Sequence, residues 1–184
     1  MTGRVAQTLL RGLPPVFQRN ARILILGSMP GMQSLEEQRY YAHPRNAFWS
    51  VIEALFDVPR ELPYAERLAR LRSAGVALWD VIGRCRRIGS LDQKIEPDSV
   101  VANDFSGLLS ACPEIDRIAF NGRMAEASFR RHVLPRLAPH HAGIDRIGLP
   151  STSPAHAAMR LEQKIERWRI GLKLHLHSPA PGRN

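Results

Sequence analysis

Apolar and polar residues alternate with two different spacings along this 184-residue chain. "ARILILG" (21–27) is a short continuous apolar run closed by Gly, the pattern of a strand buried on both faces. "VALWDVI" (76–82), "DRIAFNG" (116–122) and "DRIGLP" (145–150) also read as strands. Between them the apolar positions recur every three to four residues, which predicts helices. These are "PRNAFWSVIEALF" (44–56), with Pro44 in the first turn, and "PYAERLARLRSAG" (63–75), stopped by Gly75. "NDFSGLLSAC" (103–112) is opened by a capping Asn103 or Asp104 and halted by Pro113. "RMAEASFRRHVL" (123–134) and "PAHAAMRLEQKIERWRIGLKL" (154–174) complete the set. Four strands alternating with helices predict an α/β fold, a three-layer α/β/α sandwich around a four-stranded, mostly parallel sheet.

One domain over residues 1–175, with 176–184 as a disordered tail, accounts for the whole length. The chain is 44% hydrophobic, enough to bury a core. No run approaches the roughly 20 apolar residues of a membrane helix. "MTGRVAQTLLRGL" lacks the features of a signal peptide, so a cytoplasmic, membrane-free protein is expected. Cys85 and Cys112 are too few for a disulfide framework or a thiolate metal site and read as reduced thiols.

Charge narrows the partners. The net charge is +9, and only three of the 26 basic residues are Lys, so Arg dominates. Guanidinium forks match phosphate oxygens, which suits a nucleic acid. A GC-rich genome would also raise Arg, and charge alone leaves both readings open.

The informative residues gather where a parallel sheet places its ligands, beyond the carboxyl ends of its strands. Those ends carry "GSMPG" (27–31), "DVIGRCRRIGSLD" (80–92), "NGR" (121–123) and "LPSTSPAHA" (149–157), and "YYAHPRNAFW" (40–49) continues from the first. "GSMPG" is neither of the common phosphate loops. Ser151, Thr152 and Ser153 sit ahead of a predicted helix, where hydroxyls and free N–H groups bind phosphate or simply cap. There is no G-x-S-x-G elbow, no H-E-x-x-H and no Cys/His cluster at ligand spacing, which argues against an α/β-hydrolase nucleophile and a zinc site. Asp80 is one clear carboxylate at a strand end, with Asp92 further along. Amide and hydroxyl donors, aromatic faces and arginines fit a reaction in which a leaving group departs and the protein steadies its charge.

With these segments in order, from "LILGSMPG" through "YYAHPRNAFW", "LWDVIGRCRRIGSLDQKI" and "FNGRMA" to "LPSTSPAHA", the chain resembles the uracil-DNA glycosylase superfamily. Within it, the resemblance is to the hypoxanthine-DNA (deoxyinosine) glycosylase branch. The resemblance implies base-excision repair by hydrolysis of the N-glycosidic bond of an everted, deaminated base, hypoxanthine first, by a monomer acting on DNA without metal or other cofactor. A uracil or G:U/T mismatch glycosylase, or an inactive nucleic-acid-binding module on the same fold, are the alternatives. In mismatch-specific relatives the third residue of the G-x-x-P-G turn is a water-positioning Asn; here it is Met29, and the resemblance moves the catalytic amide to Asn46.

The remaining roles follow from that resemblance. Tyr41 matches the base-stacking position, while Phe48 and Trp49 pack behind it. Gly27 and the Ser28 and Met29 amides border the departing base. Asn121 either contacts the base edge or occupies the left-handed residue of an Asn-Gly turn. Asp80 either reads the base or pairs with Arg84, Arg86 or Arg87. "GSLD" (89–92) shapes the far wall. His156 is assigned to catalysis as a group beside the departing base, with a phosphate contact or a plain helix-surface position as alternatives. Arg45, Arg84, Arg86, Arg87 and Arg123, with Ser151, Thr152 and Ser153, are expected to grip the DNA backbone.

Overall fold

The computed structural model describes residues 9–174. In chain order the elements are β1 (Leu9–Arg11), β2 (Ile23–Gly27), α1 (Met32–Glu37), α2 (Phe48–Phe56), α3 (Tyr64–Ser73), β3 (Val76–Asp80) and β4 (Ile82–Arg86), followed by β5 (Val101–Ala102), α4 (Phe105–Ala111), β6 (Arg117–Asn121), α5 (Arg123–His132), β7 (Asp145–Leu149) and α6 (Leu161–Gly171).

The central sheet has the order β3-β2-β6-β7 and every pairing is parallel. Residues 24–26 and 76–78 are fully buried, as the unbroken apolar runs require of strands covered on both faces. Strand register sorts the layers. Trp79, Leu26 and Phe120 share one face, where Phe105 of α4 and Phe129 of α5, edge-on to each other, pack tilted against Trp79 and Phe120 respectively. The opposite face carries Ile147 and Leu149, against which Gly171 of α6 is pressed so closely that a Cβ would overlap Leu149. Phe48 of α2 meets Trp168 of α6 over that same face at a ring distance of 6.2 Å. The three-layer α/β/α sandwich is therefore the observed architecture.

A second, three-stranded sheet, β1-β4-β5, is antiparallel and flanks the first. Its strands are short and half-exposed, so their apolar signal is weak. The predicted run 76–82 is two strands: Val81 turns the chain, and β4 leaves the main sheet to pair with β1. Cys85 of β4 points inward to Met29 and Ile82, a small core beside the main one. Both cysteines are buried free thiols.

Two helix starts differ from expectation. Helix α2 opens at Phe48 rather than Pro44, because the Asn46 side-chain oxygen accepts the Phe48 N–H at 2.9 Å and ends the preceding loop there. Helix α6 opens at Leu161 rather than 154. Over 151–155 the Ser hydroxyls capture the backbone, Ser153 N–H to Ser151 Oγ and Ala155 N–H to Ser153 Oγ, both at 3.2 Å. The Gln163 side chain then receives the Arg160 N–H and starts the helix. By contrast, Asp104 caps α4 through the Gly107 N–H, one of the two expected candidates. The expected tail, 176–184, lies outside the described residues.

Candidate active site

Strand β2 is flanked by β3 on one side and β6 on the other, so the chain reverses direction across the sheet at the β2–β6 crevice. Open α/β sheets bind ligands at such a point. A cavity of about 190 Å³ opens there, below the roughly 300–1,000 Å³ of drug-sized ligand sites and therefore matched to something small. Its floor is the carboxyl edge of the sheet, where Gly27, Asp80 and Asn121 end three adjacent strands.

Gly27 carries no side chain because there is no space for one. A Cβ there would overlap Asp80 Oδ1 and stand 3.1 Å from the Tyr41 hydroxyl. The gap lets the Asp80 carboxyl and the Tyr41 hydroxyl approach the middle of the floor. Asp80 is 3% exposed, and its Oδ2 has no hydrogen-bond partner among the described residues. Burial, then the nearby Asp92, raises its pKa to about 7, although Arg87 pulls the other way. Asn103 fixes the strand end by donating to the Asp80 carbonyl at 2.8 Å.

Asn121 is the keystone of the opposite side. Its Nδ2 donates to Tyr41 Oη at 3.1 Å and to Thr152 Oγ1 at 2.8 Å, and its Oδ1 accepts the Thr152 N–H at 2.8 Å. Both amide protons are thereby engaged, so the expected contact with a base edge is replaced by a positioning role. The left-handed backbone belongs to Gly122 (φ 98°), not to Asn121. Thr152 is 1% exposed and holds Asn121, which corrects its expected role as a phosphate contact. Ser151 and Ser153 remain half-exposed on the cavity wall. They precede no helix, so the expected helix-terminus phosphate site is absent there.

The aromatic segment forms the roof. Tyr40 is buried, with its hydroxyl donating to the Pro14 carbonyl at 2.9 Å and its own carbonyl accepting Trp49 Nε1 at 3.1 Å. Tyr41 then turns outward with a left-handed φ of 55°, a strained value for a residue with a side chain. Its ring stacks on Phe48 with centroids 3.8 Å apart, and the residue lines the cavity. Phe48 and Trp49 pack in the core as expected. Asn46 also lines the cavity, half-buried. Its Oδ1 is held by Phe48 N–H, which fixes the amide while leaving a lone pair free for a water.

The far wall is the segment 87–92, tied to the 27–31 turn. Ser28 donates its hydroxyl to Asp92, Met32 donates its N–H to Ser90 Oγ at 3.0 Å, and Arg87 donates to the Pro30 carbonyl and, at 2.8 Å, to that of Gly89. Arg87 is only 4% exposed. It braces two loops from within, a correction to its expected place on the DNA backbone. Met29 is buried against Ile82 and Cys85 while its residue still borders the cavity.

The other arginines divide. Arg84 and Arg86 are exposed on β4, away from the cavity wall, and Arg86 lies 3.8 Å from Glu96. Arg45 and Arg123 are exposed at the beginnings of the α2 loop and α5. His156 is exposed and outside the cavity wall, its backbone N–H on Ser153 O, so the structure does not bring it to the reacting position. His43 lines the wall instead, its Nδ1 accepting the Arg45 N–H at 3.2 Å. Its place in "AHPRN", three residues before Asn46, was the signal that could have found it. Among the described residues no group of three or more His, Cys, Asp or Glu side chains is placed to hold a metal ion. None of the described helices is long and apolar enough to cross a membrane.

The chain is similar to known proteins in sequence and in fold. A model of the uracil DNA glycosylase superfamily matches residues 14–170. A hypoxanthine DNA glycosylase of Methanosarcina acetivorans is 40% identical over 116 residues, covering 62% of this chain and 72% of that protein. Its counterpart of the same name from Methanosarcina barkeri is 37% identical over 114 residues, 61% and 71% of the two chains. The solution NMR structure of a candidate uracil DNA glycosylase from Methanosarcina acetivorans superposes with a TM-score of 0.72 at 33% identity, covering 91% of this chain and 99% of that one. From the strand ends that floor the cavity to the loops that wall it, the matched segment takes in the whole site, and the chain belongs to the uracil DNA glycosylase superfamily.

Proposed function

We propose that this chain is a monofunctional DNA glycosylase that excises hypoxanthine from DNA. The observation that carries the reading is the convergence of Tyr41, Asn46 and Asp80 on one base-sized cavity, with a buried Asp80 oxygen left unpartnered. A buried acceptor or acid without a partner is costly unless a ligand supplies one. Hypoxanthine presents both a donor, N1–H, and an acceptor, O6, on the edge that would face it.

A base within a duplex is out of reach, so the nucleotide is everted into the cavity. Tyr41, backed by Phe48, replaces the lost stacking. Asn46 accepts a hydrogen bond from a water and directs its oxygen toward C1′. As the C1′–N9 bond breaks, its electron pair leaves with the base, the water oxygen bonds to C1′, and the surplus water proton passes to solvent or to the base. No strong base is needed, because the sugar is already cation-like in the transition state. The leaving purine becomes electron-rich, and a neutral Asp80 stabilises it by donation, whereas an ionised one repels it. The acid form is the competent one.

The test is single-turnover incubation with duplexes carrying one hypoxanthine, uracil or xanthine, followed by alkaline cleavage at abasic sites. Release of hypoxanthine that persists in EDTA is expected. Faster release of uracil would assign the chain to its uracil-excising relatives, and no release from any duplex would reduce it to a binding module.

A further inference from the structure

A second cavity, of about 210 Å³, lies on the other side of the loop that carries Asn46. It shares Tyr40, Tyr41, His43 and Asn46 with the base cavity and is lined beyond them by Arg39, Arg60, Tyr64 and Arg67. Three guanidinium groups therefore border a space next to the proposed reaction centre.

Their partners differ. Arg60 is engaged by Glu61 at 3.0 Å and Glu53 at 3.7 Å, and it donates to Ser50 Oγ at 3.3 Å. Arg39 has a loose contact with Glu37 at 3.9 Å. Arg67 forms no salt bridge among the described residues. It is held by rings instead, its guanidinium carbon 4.5 Å from the Trp49 centroid and 5.4 Å from that of Tyr64. Arg39 lies over the same Tyr64 ring at 5.8 Å. The Arg67 Nε is buried without a hydrogen-bond partner. Desolvation, and repulsion from Arg39, lower its pKa despite Tyr64. Stacking fixes the plane of a guanidinium while leaving its N–H edge unneutralised, an arrangement that favours bidentate binding of a phosphate oxygen pair. Two like charges held near one another on aromatic faces are relieved by an anion between them.

Resting on the DNA reading above, we infer that Arg67, assisted by Arg39, clamps one backbone phosphate flanking the everted nucleotide, in the cavity behind the Asn46 loop. The clamp holds the strand where the loop meets it and is indifferent to the base. Trp49 and Tyr64 support the clamp from the core side: Trp49 Nε1 reaches the Tyr40 carbonyl, and the Tyr64 hydroxyl accepts the Tyr40 N–H at 2.8 Å. The same two aromatic residues thus position both the base-stacking loop and the phosphate contact.

The experiment uses hypoxanthine duplexes in which single phosphates near the lesion are replaced, one at a time, by uncharged methylphosphonates. Wild-type protein is expected to lose about tenfold in affinity at one flanking position, with the slope of log K against log salt shallower by about one there. Arg67→Met, which keeps the apolar stem on Trp49, is expected to lose the same factor on unmodified DNA, damaged or not, and to be insensitive to that methylphosphonate. Arg39→Gln, at an exposed position, should show a smaller loss at the same phosphate. The loss in Arg67→Met should appear as a higher protein concentration needed for half-maximal excision. The clamp is overturned if Arg67→Met and Arg39→Gln keep the wild-type salt slope and methylphosphonate profile. Absence of excision by wild-type protein, with the clamp signature intact, would instead count against the glycosylase reading alone.

Discussion

Asn121, at the end of β6, donates a 3.1 Å hydrogen bond to the hydroxyl of Tyr41, eighty residues earlier in the chain. The same amide grips Thr152 through two further bonds, so one side chain joins the roof, floor and wall of the cavity. Asn121→Ala removes all three and leaves buried partners unsatisfied, at a cost of roughly 1–3 kcal/mol per orphaned group. The expected outcome is a clear drop in thermal stability together with a rise in KM. Tyr41→Phe keeps the stacked ring and loses one bond, so its stability should fall by only about 1 kcal/mol, measured by denaturant unfolding.

Asn46 has two separable duties. Its Oδ1 accepts the Phe48 N–H at the start of α2, and its remaining polarity is assigned to the water. Asn46→Ala should cost about 1 kcal/mol of stability and roughly 10²–10⁴ in single-turnover rate. Asn46→Asp keeps an acceptor for the Phe48 N–H, so its stability should stay near wild type. Excision by Asn46→Ala at the wild-type rate would remove the amide from the mechanism.

Asp80 makes both stability and rate depend on pH. Its folded pKa, raised to about 7, exceeds the ordinary carboxylate value of 3.8. The stability it contributes is therefore complete in acid, falls as the unfolded state ionises above pH 4, and is lost as pH rises through 7. Asp80→Asn should become progressively more stable than wild type over that window, by up to about 4 kcal/mol at 1.36 kcal/mol per unit, and level off above it. Calorimetry of both proteins from pH 4 to 8.5 checks this. Excision by wild type should also decline above pH 7 as the acid form disappears.

Gly27→Ala places a methyl group onto the Asp80 carboxylate and 3.1 Å from the Tyr41 hydroxyl. The Asp80 side chain must then swing toward the cavity, and overpacking of this kind costs about 1–3 kcal/mol. Weakened binding of damaged duplex, with little change for undamaged duplex, is the expected result in a gel-shift or anisotropy titration.

Strands β2, β3 and β6 of the central sheet were legible because they are buried on both faces and announce themselves as apolar runs, whereas the edge strand β7 is mostly exposed and signals itself only through its apolar end. The β1-β4-β5 sheet was not, because its residues alternate with arginines and its strands span only two to five residues. Tyr41 and Asn46, singled out through the family resemblance, both line the cavity. Arg87 and Arg86 look identical in sequence, yet β4 and the following turn bury one and expose the other. Nothing in composition distinguishes a brace from a surface charge. Likewise, Thr152 and its serine neighbours read alike, and only the return of Asn121 to Thr152 tells which one is internal. Arg67 carried no local signal, since its site is assembled from α3, α2 and the loop between α1 and α2.

The ties between the 27–31 turn and the 87–92 segment leave that wall with unequal freedom for redesign. Arg87 and Asp92 each support a partner in the turn and Ser90 holds Met32 just after it, whereas Ile88 and Leu91 point outward, 60% and 52% exposed. Neither of those two lines the cavity, so positions 88 and 91 can be varied at little risk to the scaffold, while randomising their three neighbours would dismantle the vessel itself.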